Sequence, residues 1–359
     1  MTAAAAAGRL SNVRKIAFLR PNAVGDFVFA LPALHALKHA YPDAELVLLG
    51  LPWHAAFLHG RPGPVDRVLV VPPLAGIGLA PNAGDEEARR TFVAAMRDEG
   101  FDIACQMYGG GRYSNPLLAS FGARLTVGAR ADGAAPLDRW VPYAEPANRR
   151  LALLEVAALA GAAQLALEQE LAVTAADRSA AAAAAPSGAP LVLLQPGSSD
   201  PRRCWPPAAF AAVGDALAAM GARIAVNGTD AEAPLVGRVI KAMRSPATDL
   251  SGKLDLGGLC GLIEGAACVV SNDTGPLHLA LAIGTPCVGI FWLTNLIDGM
   301  PLRPSLLRAA LSLRQDCPVC GLPNLRQRCS HEASFVADVP VEQVVRMARE
   351  VLGSTGRHA

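Results

Sequence analysis

The stretch from Cys268 to Phe291, CVVSNDTGPLHLALAIGTPCVGIF, leaves this chain few choices of fold. A β-branched run at Val269 and Val270 enters Asn272-Asp273-Thr274-Gly275-Pro276. An apolar helical pattern then runs from Leu277 to the break at Gly284-Thr285-Pro286, and a second strand covers Cys287 to Phe291. Strand, turn, helix and strand in that order belong to an α/β architecture. At such a junction several backbone N–H groups are free and the positive end of the helix dipole points outward, which suits a phosphate. His278, three residues past Gly275, is expected to face the same pocket. The plainer alternative is that Asp273 or Thr274 caps the helix and His278 packs beneath it.

The same alternation fills the rest of the chain. Arg14 to Leu19 reads as a strand, Arg20 to Asp26 as a loop, Phe27 to His39 as a helix with Pro32 near its start, and Glu45 to Gly50 as the next strand. Val65–Val71, Ile103–Met107 and Arg124–Val127 are further strands, with helices at Asp85–Glu99, Asn115–Ser120 and Asn148–Gly161. An Ala-rich segment ends at Pro186-Ser187-Gly188, after which the pattern restarts with a strand at Leu191–Leu194, a loop at Gln195–Ser199, a helix at Pro207–Met220 and a strand at Arg223–Val226. A chain of 359 residues can bury two cores. The expected organisation is a disordered tail over 1–12, an α/β domain over 13–170, a linker over 171–190, a second α/β domain over 191–340 and a final helix over 341–359. Two Rossmann-like domains facing a cleft are therefore expected.

Several function classes are disfavoured. A net charge of +1 speaks against a general nucleic-acid binder. Neither half opens with G-x-G-x-x-G, and Gly109-Gly110-Gly111 lacks the Lys-Ser or Lys-Thr of a P-loop, so it reads as a flexible turn. Met1 to Leu10 lacks the basic segment and apolar core of a secretory leader, and the uncharged run from Leu279 to Ile297 is broken by Gly284-Thr285-Pro286, so a cytoplasmic chain without a membrane span is expected. Eight cysteines in such a chain do not suggest a disulfide scaffold. Cys317, Cys320, Cys329 and His331 form C-x₂-C-x₈-C-x-H, whose four ligands suit tetrahedral zinc; packed thiols are the alternative. Asp26 lies at the carboxyl edge of the first strand, where open parallel sheets keep their chemistry, and is a candidate base or an N-cap. The arginines between Arg112 and Arg150, and Arg303, Arg308, Arg314, Arg326 and Arg328 later, suit either an anionic acceptor or membrane surface, or a solvated face.

Three motifs taken together, NAVGDFVFALPALHAL, LLQPGSSDPRRCWPPAAFAAV and VVSNDTGPLHLALAIGTP, resemble the glycosyltransferase family 9 heptosyltransferases. The resemblance runs from about Val13 to the end. It implies a GT-B fold with an acceptor-binding first domain, a donor-binding second domain, a last helix returning toward the first, and inverting transfer of a heptose from ADP-heptose to a lipid-linked inner-core lipopolysaccharide acceptor. By the same resemblance Asp26 is the general base, in a loop with Asn22 and Gly25 on the acceptor side. Arg203 stabilises the departing diphosphate. Ser198, Ser199, Asp273, Thr274, Gly275 and His278 bind the donor, and Glu232 accepts the ribose hydroxyls. No cofactor is required for catalysis, and membrane contact would be peripheral, at the inner face of the cytoplasmic membrane. A branch that glycosylates autotransporter proteins binds iron through cysteines in the late segment, which makes the cluster a candidate for structural zinc or iron, with packed thiols the alternative. A protein acceptor, or a non-catalytic nucleotide-binding relative, are the alternatives. Two departures from the family pattern stand out: Trp292 where a small residue is common, expected to narrow the pocket, and Cys204 between Arg203 and Trp205.

Overall fold

The computed structural model describes residues 8–162, 170–185, 188–325 and 327–355, which fall into two units, Met1–Glu170 and Leu171–Ala359. The first unit begins with β1 (Lys15–Leu19), α1 (Val24–Ala40), β2 (Glu45–Gly50), α2 (Pro52–Leu58) and β3 (Arg67–Val70). A minor pair, β4 (Leu74–Ala75) and β5 (Gly78–Leu79), precedes α3 (Glu86–Asp98) and β6 (Ile103–Gln106). The unit continues with α4 (Ser114–Ala119), β7 (Leu125–Arg130), β8 (Arg139–Pro142) and α5 (Arg149–Leu159). Its main sheet is parallel throughout, in the order β3-β2-β1-β6-β7-β8.

The second unit repeats this plan. It contains α6 (Ala175–Ala184), β9 (Leu191–Gln195), α7 (Pro207–Ala218), β10 (Arg223–Val226), α8 (Ala233–Ala242), β11 (Ala247–Asp249) and α9 (Leu256–Glu264). Then come β12 (Cys268–Asn272), α10 (Gly275–Ile283), β13 (Cys287–Trp292), α11 (Leu293–Gly299), β14 (Leu307–Ser312) and α12 (Val341–Thr355). The sheet order is β11-β10-β9-β12-β13-β14, again parallel. The central strands β9 and β12 are buried along their whole length. That is why they read as continuous apolar runs: strands covered by helices on both faces cannot alternate. In each sheet the order reverses beside the first strand, between β1 and β6 and between β9 and β12. In open α/β sheets ligands bind at the carboxyl ends of the strands at such a reversal.

The structure departs from the sequence expectations in several places. Residues 1–7 of the expected disordered tail lie outside the described residues, whereas 8–12 are packed: Tyr41 Oη accepts the Leu10 N–H at 3.2 Å, the Arg9 guanidinium sits 4.6 Å from the Tyr41 ring, and Arg124 donates to the Ser11 and Asn12 carbonyls. Of the expected linker, 186–187 lie outside the described residues, and most of the rest is α6. Thr174 caps this helix in a capping box with Asp177, and Gly261 of α9 approaches the Asp177 carbonyl so closely that a Cβ would stand 2.2 Å from it. The final helix α12 buries Val344, Ala348 and Val351 in the core of its own unit, against α7 and β12 to β14. The Gly109–Gly111 turn is braced by bonds from Asn115 N to Gly111 O and from Ala131 N to Gly110 O.

One buried titratable side chain in the first unit sets a pH dependence. His54 of α2 is fully buried, stacked on Trp53 at 3.7 Å, and its Nδ1 accepts the Leu51 N–H at 2.9 Å. Burial, with the Arg20 charge adding to it, pushes its pKa from 6.5 down to about 4. A group whose folded pKa is depressed favours folding above its unfolded pKa, and that advantage is lost as the pH falls from 6.5 through about 4. We expect the denaturant midpoint to fall over that window, by up to about 3 kcal/mol in stability. The His54→Leu variant should lose this part of the slope; an identical slope in both proteins would refute the assignment.

Candidate active site

In the second unit the loop after β9 and the turn after β12 meet at the reversal of strand order. Asn272, the last residue of β12, is fully buried and fastens both: its Oδ1 accepts the Trp205 N–H at 3.0 Å and its Nδ2 donates to the Pro196 carbonyl at 2.7 Å. Trp205 is itself buried, edge-on to Phe210 at 5.3 Å, with its Nε1 donating to the Val339 carbonyl at 3.0 Å. Removing so well packed a ring typically costs about 3–5 kcal/mol. The segment Gln195 to Trp205 is thus anchored at both ends, with a one-turn 3₁₀ helix (Pro201–Arg203) between. Asp200 starts that turn by accepting the Arg202 N–H and gripping the Arg202 guanidinium, which leaves Arg203 to turn toward β12.

Arg203 Nη1 donates to Asp273 Oδ2 at 3.1 Å and Nη2 to Ser199 Oγ at 3.1 Å, while Asp273 Oδ1 pairs with His278 Nε2 at 3.0 Å. Asp273 is 5% exposed and His278 3%. Burial raises the Asp273 pKa, but the hydrogen bond and charge of His278 and the charge of Arg203 outweigh it and leave the carboxyl below its ordinary value. The carboxylate is therefore an ionised anchor for two basic side chains. Thr274 is the N-cap of α10 and makes no side-chain cap bond; Gly275 is the first helical residue, and Gly284 closes the helix in the left-handed conformation at φ 101°. The structure thus brings Ser199, Arg203, Asp273 and His278 into one bonded group, next to Thr274 and Gly275 at the start of α10. Neither Asp273 nor Thr274 caps the helix through its side chain.

The remaining donor-side candidates are arranged differently. Ser198 Oγ accepts only a long 3.4 Å bond from the Asp200 N–H. Glu232 caps its own turn, Oε2 accepting from the Thr229 N–H at 2.8 Å and from Thr229 Oγ1 at 3.0 Å. Its Oε1 crosses to the β9 loop, where a Cβ on Gly197 would stand 1.9 Å away, so a side chain there would push the Glu232 carboxylate aside. Cys204 is half-buried, and burial raises its pKa, as expected for a packed thiol. Trp292 is buried rather than presented to a pocket: its Nε1 donates to the Arg314 carbonyl at 2.6 Å and its ring lies 4.6 Å from Phe335. An indole at the last position of β13 fills the core and finds its acceptor in the chain after β14.

In the first unit Arg20 leaves β1 and turns back on α1. It is only 5% exposed; Nε donates to the Asp26 carbonyl and Nη2 to Asp26 Oδ1, both at 3.0 Å, and Nη1 to the Met107 carbonyl beyond β6. Asp26 lies in the first turn of α1, whose N-cap is Ala23, so the N-cap alternative for Asp26 does not hold; its side chain keeps 41% of its surface. Gly25 precedes it in the same turn. Asn22 donates its N–H to the Arg20 carbonyl, accepts from Trp53 Nε1 through its own carbonyl, and holds a buried Oδ1 with no hydrogen-bond partner. Arg20 and Asn272 were missed as site residues. The available signal was a polar residue closing an apolar strand, KIAFLR and CVVSN.

Cys317, Cys320, Cys329 and His331 are brought together, one ligand atom from each lying within 4.8 Å of all the others. Of the late arginines, Arg303 donates to the Leu281 carbonyl, Arg308 pairs with Glu350 and Arg314 with Asp338, while Arg326 lies outside the described residues. Among the described residues no helix is long and apolar enough to cross a membrane.

Known proteins resemble this chain in sequence and in fold. Lipopolysaccharide heptosyltransferase 3 of Escherichia coli is 26% identical over 167 residues, 46% of this chain and 47% of that protein. The match thus spans about half the length of this curated relative. A glycosyl transferase of family 9 from Veillonella parvula superposes with a TM-score of 0.77 at 17% identity, over 98% of this chain and 100% of the other. The ADP-heptose lps heptosyltransferase II of E. coli gives 0.74 at 19% identity, over 95% and 99%. The expected fold, GT-B with two Rossmann-like domains, is borne out by these superpositions and by the paired parallel sheets. The profile of glycosyltransferase family 9 (heptosyltransferase) matches residues 89–317, most of the chain, and the chain belongs to that family.

Proposed function

We propose that this protein transfers a heptose from ADP-heptose to a lipopolysaccharide inner-core saccharide, inverting the anomeric centre. The observation that carries the reading is the buried Asp273 carboxylate holding Arg203 and His278 at the carboxyl end of β12, beside the N-terminus of α10. There Arg203, the α10 dipole and the hydroxyls of Ser198 and Ser199 neutralise the diphosphate as it departs. Arg203 offers two N–H groups in a plane, and exchanging its Ser199 bond for a phosphate oxygen leaves its Asp273 bond intact. Asp26 takes the proton of the acceptor hydroxyl, with Arg20 holding Oδ1 so that the carboxylate points outward. Glu232 is the residue that would accept the ribose hydroxyls. Charge neutralisation by these groups removes the need for a catalytic cofactor. Work on a lipid-linked acceptor would bring the protein to the cytoplasmic face of the inner membrane.

The test is direct. Purified protein, ADP-heptose and an inner-core acceptor lacking the terminal heptose are incubated, and product mass, ADP release and anomeric configuration by NMR are followed. One added heptose of inverted configuration is expected. Donor binding without transfer to any inner-core acceptor would leave only a nucleotide-binding role.

A further inference from the structure

We propose that Cys317, Cys320, Cys329 and His331 hold one zinc ion in a tetrahedral Cys₃His site, and that this ion fixes the segment on which the Arg202–Arg203 turn rests. Three thiols and one imidazole with ligand atoms all within 4.8 Å of one another are nearly a coordination shell. Zinc bonds to sulfur at about 2.3 Å and to nitrogen at about 2.0–2.1 Å, which puts tetrahedral ligands about 3.5–3.8 Å apart, a small contraction of the observed cluster. A disulfide between any two of the cysteines would leave the third thiol and the imidazole without a role.

The surroundings are those of a ligand set. Val319 N donates to Cys317 Sγ at 3.5 Å, and Asn324 Nδ2 donates to Cys329 Sγ at 3.6 Å, so two of the sulfurs already receive N–H bonds of the kind that support a metal-bound thiolate. The Cys317-to-Gly321 turn is closed by the Gly321 N–H on the Cys317 carbonyl, with Gly321 at φ 71°, which aims both cysteines of the turn to one side. His331 Nδ1 is buried and has no hydrogen-bond partner, a cost that a metal bond removes.

The position gives the ion its consequence. Among the described residues of 313–340 there is no helix or strand, and an isolated bridge joins Asp316 and Pro323. Phe335, Val336 and Val339 tie the far end of this segment into the core. Phe335 also donates its N–H to the Arg202 carbonyl at 2.8 Å and accepts from Ser312 Oγ at 2.6 Å. A metal cross-link over residues 317–331 lowers the entropy of the unfolded loop and steadies the chain that carries Phe335. The link to Arg203 rests on its proposed place at the diphosphate; the metal site does not.

The full-length protein, purified with reductant and without chelator, should carry one equivalent of zinc by mass spectrometry of the digested sample. Exchange for Co²⁺ should give thiolate-to-cobalt charge-transfer bands and the d–d bands of a tetrahedral ion. Cys329→Ser should lose the metal and melt at a lower temperature. Since misfolding would confound that variant, Cys320→Ser, at the exposed ligand, serves as the second: it should fold, with weakened charge-transfer bands. Free thiols with neither metal nor a cobalt spectrum, or a disulfide among the three cysteines, would overturn the site; one equivalent of iron would overturn zinc. None of these readouts involves sugar transfer, so failure here is distinguishable from failure of the proposed activity.

Discussion

Asp26→Asn should lower kcat by about 10²- to 10⁴-fold, the range that a positioned general base contributes, while ADP affinity stays unchanged. The amide keeps the shape of the side chain and can still accept from Arg20 Nη2, but it cannot take the acceptor proton. The substitution also removes the ionic partner of a buried guanidinium. Breaking a buried pair can cost about 3–5 kcal/mol; here the cost should be smaller, because Asp26 is half-exposed and Arg20 keeps the Asp26 and Met107 carbonyls. Melting curves should accompany the rates. A folded variant that transfers heptose at the parental rate would remove Asp26 from the reaction.

Arg203→Ala should cost about 10²- to 10³-fold in kcat, as when a preorganised donor to developing charge is removed. The loss belongs mainly to kcat, because charge on the diphosphate grows as the glycosidic bond breaks. Arg203→Lys should recover part of it, since an ammonium supplies the charge but not the planar fork. The fold should survive both changes, because Asp273 keeps His278 and the loop keeps its Trp205 anchor. A rise in KM with kcat intact would instead make Arg203 a ground-state contact only.

The layered plan was legible because buried parallel strands announce themselves as apolar runs; β9 and β12 are examples. The edge strand β8 was not, since RWVP alternates between half-buried and exposed residues and ends in proline. Helix α2 was missed for a related reason: seven residues starting with Pro52 are too few to show a helical period. At the site, the motif residues could be named, but the bonds among them could not. Nothing in the spacing reveals that Asp273 lies between Arg203 and His278, seventy residues from the one and five from the other. Nor does it show that Arg20 reaches back over six residues to hold Asp26. Trp292 misled in the opposite direction, because a large side chain beside a pocket motif can equally face the core.

Asn272 ties the sheet's alignment to the chemistry at its edge. Its two bonds come from the last residue of β12, which stands with Ser271 opposite Gln195 on one side and Asn272 opposite Ile290 on the other. Sliding that strand by a single residue would swing the amide to the other face of the sheet and release both loops at once. Volume-conserving exchanges in the interior are therefore neutral for this enzyme only if they leave the strand offset alone. Mutations far from these two loops that shift the offset should therefore impair transfer and lower the melting temperature together.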